Sequence, residues 1–348
     1  MRTLTARELN RALLARQFLL ERSTLPLVPT LERIGGLQTQ YAPSGYIGLW
    51  SRMRNFRRGA LTRALEQRRV IQGSLLRSTI HMVSARDYWL FLAAIRQPRQ
   101  EWWRRVTRHE FGHLDMEAAA VALREYLAGG PRRADELKGM LVARGLPPVI
   151  WGGLAQWVDM VRVPPSGTWE QRRADLYGLA ETWTRPTAHH ESAGLDHLIR
   201  WYLGGFGPAL TREIADWAGI PPAKLAPTLD RVALRRFRDE NGKELLDLPR
   251  APLPDAATPA PVRFLPTWDA TLLVHARRTQ ILPERYRPLV FNTKTPHSVA
   301  TFLVDGAVAG TWRFEGGRVE VKPFAPLRAA ARREVDEEAR RLAHVLAG

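Results

Sequence analysis

The chain has 348 residues and a strongly basic composition, with 52 Lys and Arg against 35 Asp and Glu and a formal net charge of +17. A length in this range suits two or three compact modules. Cysteine is absent, which excludes disulfides, a thiolate nucleophile and Cys-based zinc or iron–sulfur sites. No apolar run approaches the roughly 20 residues that a membrane span requires, and the N-terminus lacks the apolar core of a signal peptide.

The positive charge favours nucleic acid as the partner, because Lys and Arg neutralise phosphates and release counterions. Arginine exceeds lysine, which favours planar, bidentate recognition of phosphate. A compositional bias toward Arg and Ala would instead leave the charge evenly scattered, and this alternative stays open. We expect a soluble, cytoplasmic and nucleoid-associated protein with no membrane association, no cofactor and no metal.

The first stretch, residues 1–113, is predicted to contain three helices followed by a β-hairpin, which is the order of a winged helix. Thr5 and Glu8 form a capping-box pattern before apolar residues at helical spacing. A second helix is expected over 31–37 and a third around 61–65. The run 70–83 predicts two strands that turn at Gly73-Ser74, and a further helix is expected over 87–95.

Two later stretches show the same order of helix, turn, helix and hairpin, and we interpret all three as tandem modules of one type. In residues 114–190 the expected elements are helices at 116–127 and 134–144, and strands within 158–169 and 174–179. In residues 191–250 they are helices at 198–203, at 211–218 with Thr211 as the cap, and at 227–238, and a strand at 243–248.

The last unit, residues 251–348, is predicted to be a small β-rich domain. Residues 251–261 are rich in Pro and Ala and are the best candidate for a linker. Beyond them the segments 298–304, 307–314 and 318–321 alternate with a period of two, separated by Asp305-Gly306 and Gly316-Gly317 turns. An amphipathic helix over 328–346 closes the chain. The expected fold class is α+β.

The Gln38-Thr39-Gln40 tripeptide, called here the Gln motif, lies where a predicted helix meets a loop. In an extended or turning segment, residues i and i+2 project to the same side. Two neutral amides can jointly orient one water molecule beside DNA phosphates without adding a repelling negative charge. Taken alone, the pattern is better explained by polar residues that end a helix.

Five ordered blocks give the chain a resemblance to a known family over nearly its whole length. The blocks are residues 37–40, 77–83, 206–211, 265–273 and 304–312. Together they resemble the winged-helix DNA glycosylases typified by AlkZ and YcaQ. The resemblance implies three tandem winged helices plus a small β domain, arranged as a C-shaped clamp around duplex DNA.

The resemblance also implies that Gln38 and Gln40 carry the catalytic role. In the AlkZ branch the middle residue of the motif is usually aliphatic, whereas this chain has Thr39. The YcaQ branch has Asp in place of the second Gln, so Gln40 places the chain nearer AlkZ. The implied activity is a monofunctional DNA glycosylase that excises alkylated purines such as N7-alkylguanine, including bulky adducts and interstrand crosslinks, as in antibiotic self-resistance.

Other residues are weaker candidates for contacts with double-stranded DNA. The candidates are Thr39, Arg52, Arg54, Arg57, Arg58, Arg77 and His81. The arginine run after the Gln motif suits phosphate contacts, but a solvated helix start explains it as well. His81 is either a buried structural residue or a DNA contact.

Two further clusters carry chemistry-bearing side chains. The His189-His190-Glu191 cluster is a poor metal site, because adjacent side chains diverge. Trp268-Asp269 either reaches the DNA face or supplies a core indole and a helix cap.

Two functions from different classes are compatible with these patterns. The first is a monomeric glycosylase that acts on alkylated duplex DNA. The second is a non-catalytic winged-helix DNA binder or transcriptional regulator, because a fold does not fix a function. Convergence of the two amides on one concave site would favour the enzyme.

Overall fold

The computed structural model describes residues 1–275, 278–291 and 298–347, which form a mixed α+β fold. The helices are α1 (Ala6–Arg16), α2 (Leu27–Arg33), α3 (Ala42–Arg52), α4 (Arg58–Glu66), α5 (Ala85–Phe111), α6 (Met116–Ala128), α7 (Ala134–Ala143), α8 (Trp151–Leu154), α9 (Ala180–Trp183), α10 (Glu191–Phe206), α11 (Thr211–Ala218), α12 (Pro222–Arg231), α13 (Arg287–Val290) and α14 (Ala329–Ala347). The strands are β1 (Thr3–Leu4), β2 (Leu37–Gln38), β3 (Val70–Ser74), β4 (Ile80–Ser84), β5 (Arg132–Arg133), β6 (Met160–Arg162), β7 (Leu176–Leu179), β8 (Arg235–Asp239), β9 (Glu244–Asp247), β10 (Arg263–Leu265), β11 (Thr301–Val304), β12 (Ala307–Glu315) and β13 (Arg318–Pro323).

Within the described ranges the strands form three sheets. The largest has the order β2-β4-β3-β6-β7-β5, and Gly73 of β3 pairs with Val161 of β6. The hairpins of the first two predicted modules therefore belong to one continuous sheet. A second sheet has the order β1-β8-β9, with β1 parallel to β8, so the N-terminus pairs with the third predicted module.

The third sheet, β10-β11-β12-β13, confirms the period-two pattern predicted near the C-terminus. Asp305 and Gly306 have φ of 48° and 79°, and Gly316 and Gly317 have φ of 55° and 76°. Positive φ at both central residues is what a tight two-residue hairpin turn requires. The predicted terminal helix is also confirmed as α14, whose Val335 packs in one apolar cluster with residues of this sheet.

Several predicted boundaries in the first module differ from the structure. The capping box of Thr5 and Glu8 is confirmed at α1. The second helix, however, ends at Arg33, because Gly35 and Gly36 adopt positive φ of 82° and 59° and redirect the chain into β2. Leu37 is therefore a strand residue rather than a helical one.

The hairpin does not turn at Gly73-Ser74. Both residues lie inside β3, and the turn is the segment from Leu75 to Thr79. A Cβ atom on Gly73 would lie 2.6 Å from a ring carbon of Tyr88. Glycine is needed there because the Tyr88 ring packs against the strand, and not because the backbone turns.

In the third module, the helix predicted over 227–238 ends at Arg231, and residues Arg235–Asp239 form β8. Phe237 is buried while its neighbours Arg236 and Arg238 are exposed, which is the alternation of a strand. The N-cap of α11 is Leu210, and Thr211 is the first helical residue instead of the cap.

The apolar core is shared unequally among the predicted modules. Residues 116–179 contain a cluster of their own, which includes Leu123 and Leu141. A larger cluster joins Leu13, Phe91, Ile199 and Leu303, which come from the first, third and C-terminal predicted units. These three units are therefore fixed to one another by burial of common apolar surface.

Candidate active site

The Gln motif is attached to the outer edge of β4. Gln38 pairs with His81 in the register of β2 and β4. The Thr39 amide donates to the Ile80 carbonyl at 2.8 Å, and the Ile80 amide donates to Oε1 of Gln40 at 3.1 Å. The Gln40 side chain thus continues the pairing with β4 beyond the end of β2 at Gln38.

Gln38 lies at the wall of an open cleft of about 390 Å³. The lining residues are Gln38, Arg77, Thr79, Asp216, Trp217, Trp268, Leu273 and Val274. Gln38 is 7% exposed, whereas Gln40 is exposed. Within the described residues, Gln40 is not part of the lining itself, but its amide is bonded to Ile80, the neighbour of Thr79. The motif therefore borders the cleft through Gln38, while the Gln40 amide is held against β4.

Arg77 extends over the Gln38 amide from the turn between β3 and β4. Its Nη2 lies 3.5 Å from Oε1 of Gln38, and its Nη1 lies 3.4 Å from the Trp217 carbonyl oxygen. Arg77 and Ser78 both have positive φ, 50° and 58°. Such backbone conformations are unfavourable for residues other than glycine and are concentrated at functional sites. The turn thus presents a guanidinium directly at the cleft.

Trp268 forms another wall of the cleft and also has positive φ, 63°. Its backbone amide donates to Oγ of Ser298 at 2.7 Å. The next residue, Asp269, is buried and accepts hydrogen bonds from the amide and the hydroxyl of Thr271. The expected cap at Asp269 is confirmed, and Trp268 faces the cleft.

Arg52 is fully buried and donates to both carboxylate oxygens of Asp269, at 2.8 and 2.9 Å. It also donates to the Gly48 carbonyl at 3.0 Å and to Oε1 of Gln17 at 3.2 Å. These bonds satisfy the guanidinium internally and remove it from solvent. The structure therefore contradicts the expectation that Arg52 contacts DNA phosphate: its role is to hold the Trp268 segment.

The segment that supplies Leu273 and Val274 is fixed by a buried polar cluster. His275 Nε2 lies 3.0 Å from the Phe206 carbonyl oxygen, and its Nδ1 lies 3.3 Å from a carboxylate oxygen of Glu213. The Tyr202 hydroxyl donates to the Val274 carbonyl at 3.0 Å. Burial, reinforced by the Glu213 carboxylate, raises the pKa of Tyr202 and keeps this donor protonated.

His81 and Thr39 are also buried and do not present their side chains to DNA. His81 is 4% exposed and donates through Nδ1 to the Thr79 carbonyl, 3.1 Å away. Burial and the nearby Arg77 lower the pKa of His81 to about 3, so the imidazole is neutral. Thr39 is fully buried, and its carbonyl accepts from Arg162 at 2.8 Å. Both residues support the cleft wall from behind, which corrects their assignment as DNA contacts.

The remaining arginines of the predicted run differ among themselves. Arg54 and Arg57 are exposed, and Arg57 is the N-cap residue of α4. Arg58 is partly buried, with its guanidinium 4.9 Å from the ring centroid of Trp169. Arg54 and Arg57 therefore remain available for phosphate, whereas Arg58 is engaged in a cation–π contact.

The His189-His190-Glu191 cluster is exposed, and His190 is the N-cap residue of α10. Across the described residues, no group of three or more His, Asp or Glu side chains is arranged to hold a metal ion. In the same part of the chain, no helix is long and apolar enough to cross a membrane.

Asp216 and Trp217 are cleft residues that the sequence analysis did not identify as site residues. They lie at the end of α11, where Trp217 packs 5.0 Å from the ring of Tyr202 and 5.4 Å from that of Trp201. Their helical pattern indicates only a buried indole beside a solvated carboxylate. Nothing local reveals that folding brings them opposite Gln38, which is far away in the sequence.

The cleft brings together an amide, a guanidinium and two indoles in a strongly basic α+β protein, and these groups suit a protein that acts on nucleic acid. The sequence model of the family described as DNA glycosylase AlkZ-like matches residues 31–345, and the chain belongs to that family. The resemblance stated from the five blocks is thereby confirmed.

A solved structure supports the same relationship at the level of the fold. Streptomyces sahachiroi DNA glycosylase AlkZ superposes with a TM-score of 0.84 over 99% of this chain and 97% of that chain, at 18% sequence identity. No protein of curated function matches the chain significantly.

Proposed function

We propose that the chain is a monofunctional DNA glycosylase that hydrolyses the N-glycosidic bond of alkylated purines in double-stranded DNA. Gln38 and Gln40 position the attacking water at C1′ of the damaged nucleotide. The observation that carries the proposal is that Gln38 lines the same cleft as Arg77 and Trp268, with Nη2 of Arg77 3.5 Å from its Oε1, in a chain that belongs to a DNA glycosylase family.

Neutral amides suit this reaction because the leaving base is already activated. A purine alkylated at N7 or N3 is cationic and leaves without protonation. The protein then has only to hold water and stabilise an oxocarbenium-like sugar. Oε1 of Gln40 has a second lone pair beyond the one that accepts from Ile80, and this lone pair is available to the water.

Asp216 is proposed to supply the negative charge that complements positive charge on the sugar. Asp216 lines the same cleft, and its exposed carboxylate lies 3.5 Å from Arg212 on the surface of α11. A negative group facing C1′ stabilises positive charge that develops on the sugar in the transition state. The proposed nucleophile is water held by the two amides, so the reaction is expected to leave an abasic site without strand cleavage by a Schiff base.

Arg77, Arg54 and Arg57 are proposed to bind the DNA backbone. Arg77 is exposed and placed beside Gln38, where it can hold the phosphate next to the damaged nucleotide. Arg54 and Arg57 lie on the exposed segment that follows α3. The three-module clamp and the monomeric state are part of the same proposal.

The proposal is tested with duplex oligonucleotides that carry a single N7-methylguanine, a bulky N7-alkylguanine or a uracil. Released base is quantified by mass spectrometry, and abasic sites are detected by alkaline cleavage. We expect release of both alkylguanines without spontaneous strand cleavage, no release of uracil, and no inhibition by a chelator. Release of uracil, or binding of all three duplexes without release of any base, would contradict the glycosylase mechanism and favour a DNA-binding regulator.

A further inference from the structure

The two peptide planes inside the Gln motif are held from two different predicted modules. The amide of Thr39 donates to the Ile80 carbonyl at 2.8 Å, which fixes the plane between Gln38 and Thr39. The carbonyl of Thr39 accepts from Nη1 of Arg162 at 2.8 Å, which fixes the plane between Thr39 and Gln40. Ile80 belongs to β4 of the first module, whereas Arg162 is the last residue of β6 in the second. The orientation of the peptide that leads to Gln40 therefore depends on a side chain from outside the first module.

Arg162 is a buried cation that is not paired with a carboxylate. It is 7% exposed, and across the described residues no ion pair includes it, so its contact with Thr39 is its described hydrogen bond. Three other buried arginines, Arg16, Arg52 and Arg99, are each paired with a buried aspartate. Burial of a guanidinium without a counter-ion lowers stability. The contact with the Gln motif is what this unfavourable placement provides.

The Arg162 side chain is confined by the loop that follows β6. The Gly167 backbone has positive φ, 78°, and a Cβ atom there would lie 3.5 Å from Cδ of Arg162 and 3.4 Å from Oε1 of Gln72. Nε2 of Gln72, on β3, donates to the Gly167 carbonyl at 3.0 Å and so holds the loop in this position. Packing between β3 and this loop therefore keeps the guanidinium at Thr39 without the help of an ion pair.

Thr39 takes part in this contact through its backbone. Its hydroxyl has no hydrogen-bond partner within the described residues. Its methyl group packs close to α3, where a Cβ atom on Gly45 would lie 3.0 Å from it. A branched apolar side chain would make the same contact and leave the carbonyl to Arg162. This accounts for threonine at a position that is usually aliphatic in the AlkZ branch.

We propose that Arg162 is a positioning residue for the Gln motif, which couples the second module to the hydrolytic step from a buried site. The inference rests on the proposed glycosylase function. Without the Arg162 contact, the peptide between Thr39 and Gln40 is free to rotate. The Gln40 amide then no longer shares the water with Gln38 in a fixed geometry, and rate is lost while affinity for DNA is kept.

The test uses Arg162→Met, which keeps the length of the side chain and removes its donors, and Arg162→Lys, which keeps a cationic donor. Arg263→Met is the matched control, because Arg263 is also 7% exposed and donates to the Val262 and Leu20 carbonyls. Both Arg162 variants are also made in the Gln40→Ala background. The measurements are the single-turnover rate of N7-methylguanine release, the dissociation constant for the same duplex, and hydrogen–deuterium exchange of the peptide that contains the motif.

We expect Arg162→Met to slow base release by about tenfold at an unchanged dissociation constant, the scale of one lost hydrogen bond from a charged donor. Arg162→Lys should recover most of the rate, with a loss of about threefold, and Arg263→Met should leave the rate unchanged. Because Arg162 acts through Gln40, neither Arg162 variant should lower the rate further in the Gln40→Ala background. Amide exchange at the motif should be faster in Arg162→Met and unchanged in the control.

A rate loss that multiplies with the loss from Gln40→Ala, or a parallel loss of DNA affinity, would mean that Arg162 supports the fold in general and would overturn the inference. An unchanged rate with unchanged exchange would overturn it as well. If Arg162→Met does not fold, Arg162→Lys supports the same comparison in both backgrounds. If the wild type releases no base, the glycosylase function is wrong, and the exchange measurement still reports whether Arg162 holds the motif.

Discussion

At the residue scale, His81 shows how the cleft wall is kept neutral behind Gln38. It lies opposite Gln38 in the strand register and bonds through Nδ1 to the Thr79 carbonyl. Burial is the main reason that its pKa falls to about 3, and Arg77 adds to the effect. A proton on this ring would place an uncompensated charge behind the Gln38 amide.

This depressed pKa predicts a pH-dependent stability. Below the unfolded-state pKa near 6.5 the unfolded chain binds a proton at His81 that the folded protein does not, so the free energy of unfolding decreases as pH falls from about 6.5 toward about 3. The loss attributable to His81 is roughly 2 kcal/mol at about pH 5. Urea denaturation of the wild type and of His81→Gln at about pH 7.5 and about pH 5 measures it. Equal pH dependence in the two proteins would contradict the prediction.

At the element scale, the Arg52–Asp269 pair ties α3 to the segment that carries Trp268. Both side chains are fully buried, and the two hydrogen bonds between them cross 217 residues of sequence. Helix α3 begins at Ala42, shortly after the Gln motif, so the same contact links both sides of the cleft. The arrangement of the cleft walls therefore depends on a pair that is fully buried behind them.

Removal of one partner is predicted to be strongly destabilising. Asp269→Ala leaves the Arg52 guanidinium buried without its counter-ion, which costs about 3–5 kcal/mol of unfolding free energy. Glu244→Ala is the matched control, because the Arg236–Glu244 pair is exposed and contributes only about 0–1 kcal/mol. Urea denaturation compares the two variants. A loss below about 1 kcal/mol for Asp269→Ala would show that the pair does not anchor the Trp268 segment.

The elements that sequence predicts well are those specified by local patterns. The alternation of apolar and polar residues predicted β12 and β13, and the capping-box pattern predicted the start of α1. Arg52 was expected at the surface because its partner is remote in sequence. Gly73 was interpreted as a turn because nothing local reveals the Tyr88 ring that requires it. The Gln motif was found from sequence, whereas Asp216 and Trp217 reach the cleft only through the packing of α11.

At the scale of the whole molecule, the net positive charge and the shared apolar core have separate effects on the cleft. A net charge of +17 opposes compaction but attracts a polyanion. The first, third and C-terminal units share one apolar core, which holds the walls of the cleft at fixed positions relative to one another. This matters because Trp217 and Trp268 belong to different units. The three-module clamp and the monomeric state stay predictions.

DNA binding is predicted to depend steeply on salt. Each neutralised phosphate contributes about 0.9 to the slope of log affinity against log salt for duplex DNA. The Arg54→Ala, Arg57→Ala double variant should therefore lower that slope by about 2, measured by titration between about 50 and about 200 mM salt. Arg236→Ala is the control, because this arginine is paired with Glu244. A flat salt response of the wild type would mean that the positive charge is only compositional.

The central claim is that the two amides of the Gln motif act on the transition state rather than on DNA affinity. The most direct measurement is the single-turnover rate of N7-methylguanine release together with the dissociation constant for the same duplex, for Gln38→Ala and Gln40→Ala. Gln97→Ala is the control, since Gln97 is exposed on α5. We predict a rate loss of about 10²-fold or more with nearly unchanged affinity for both motif variants, and no change for the control. Equal losses of rate and affinity, or an unchanged rate, would contradict the account.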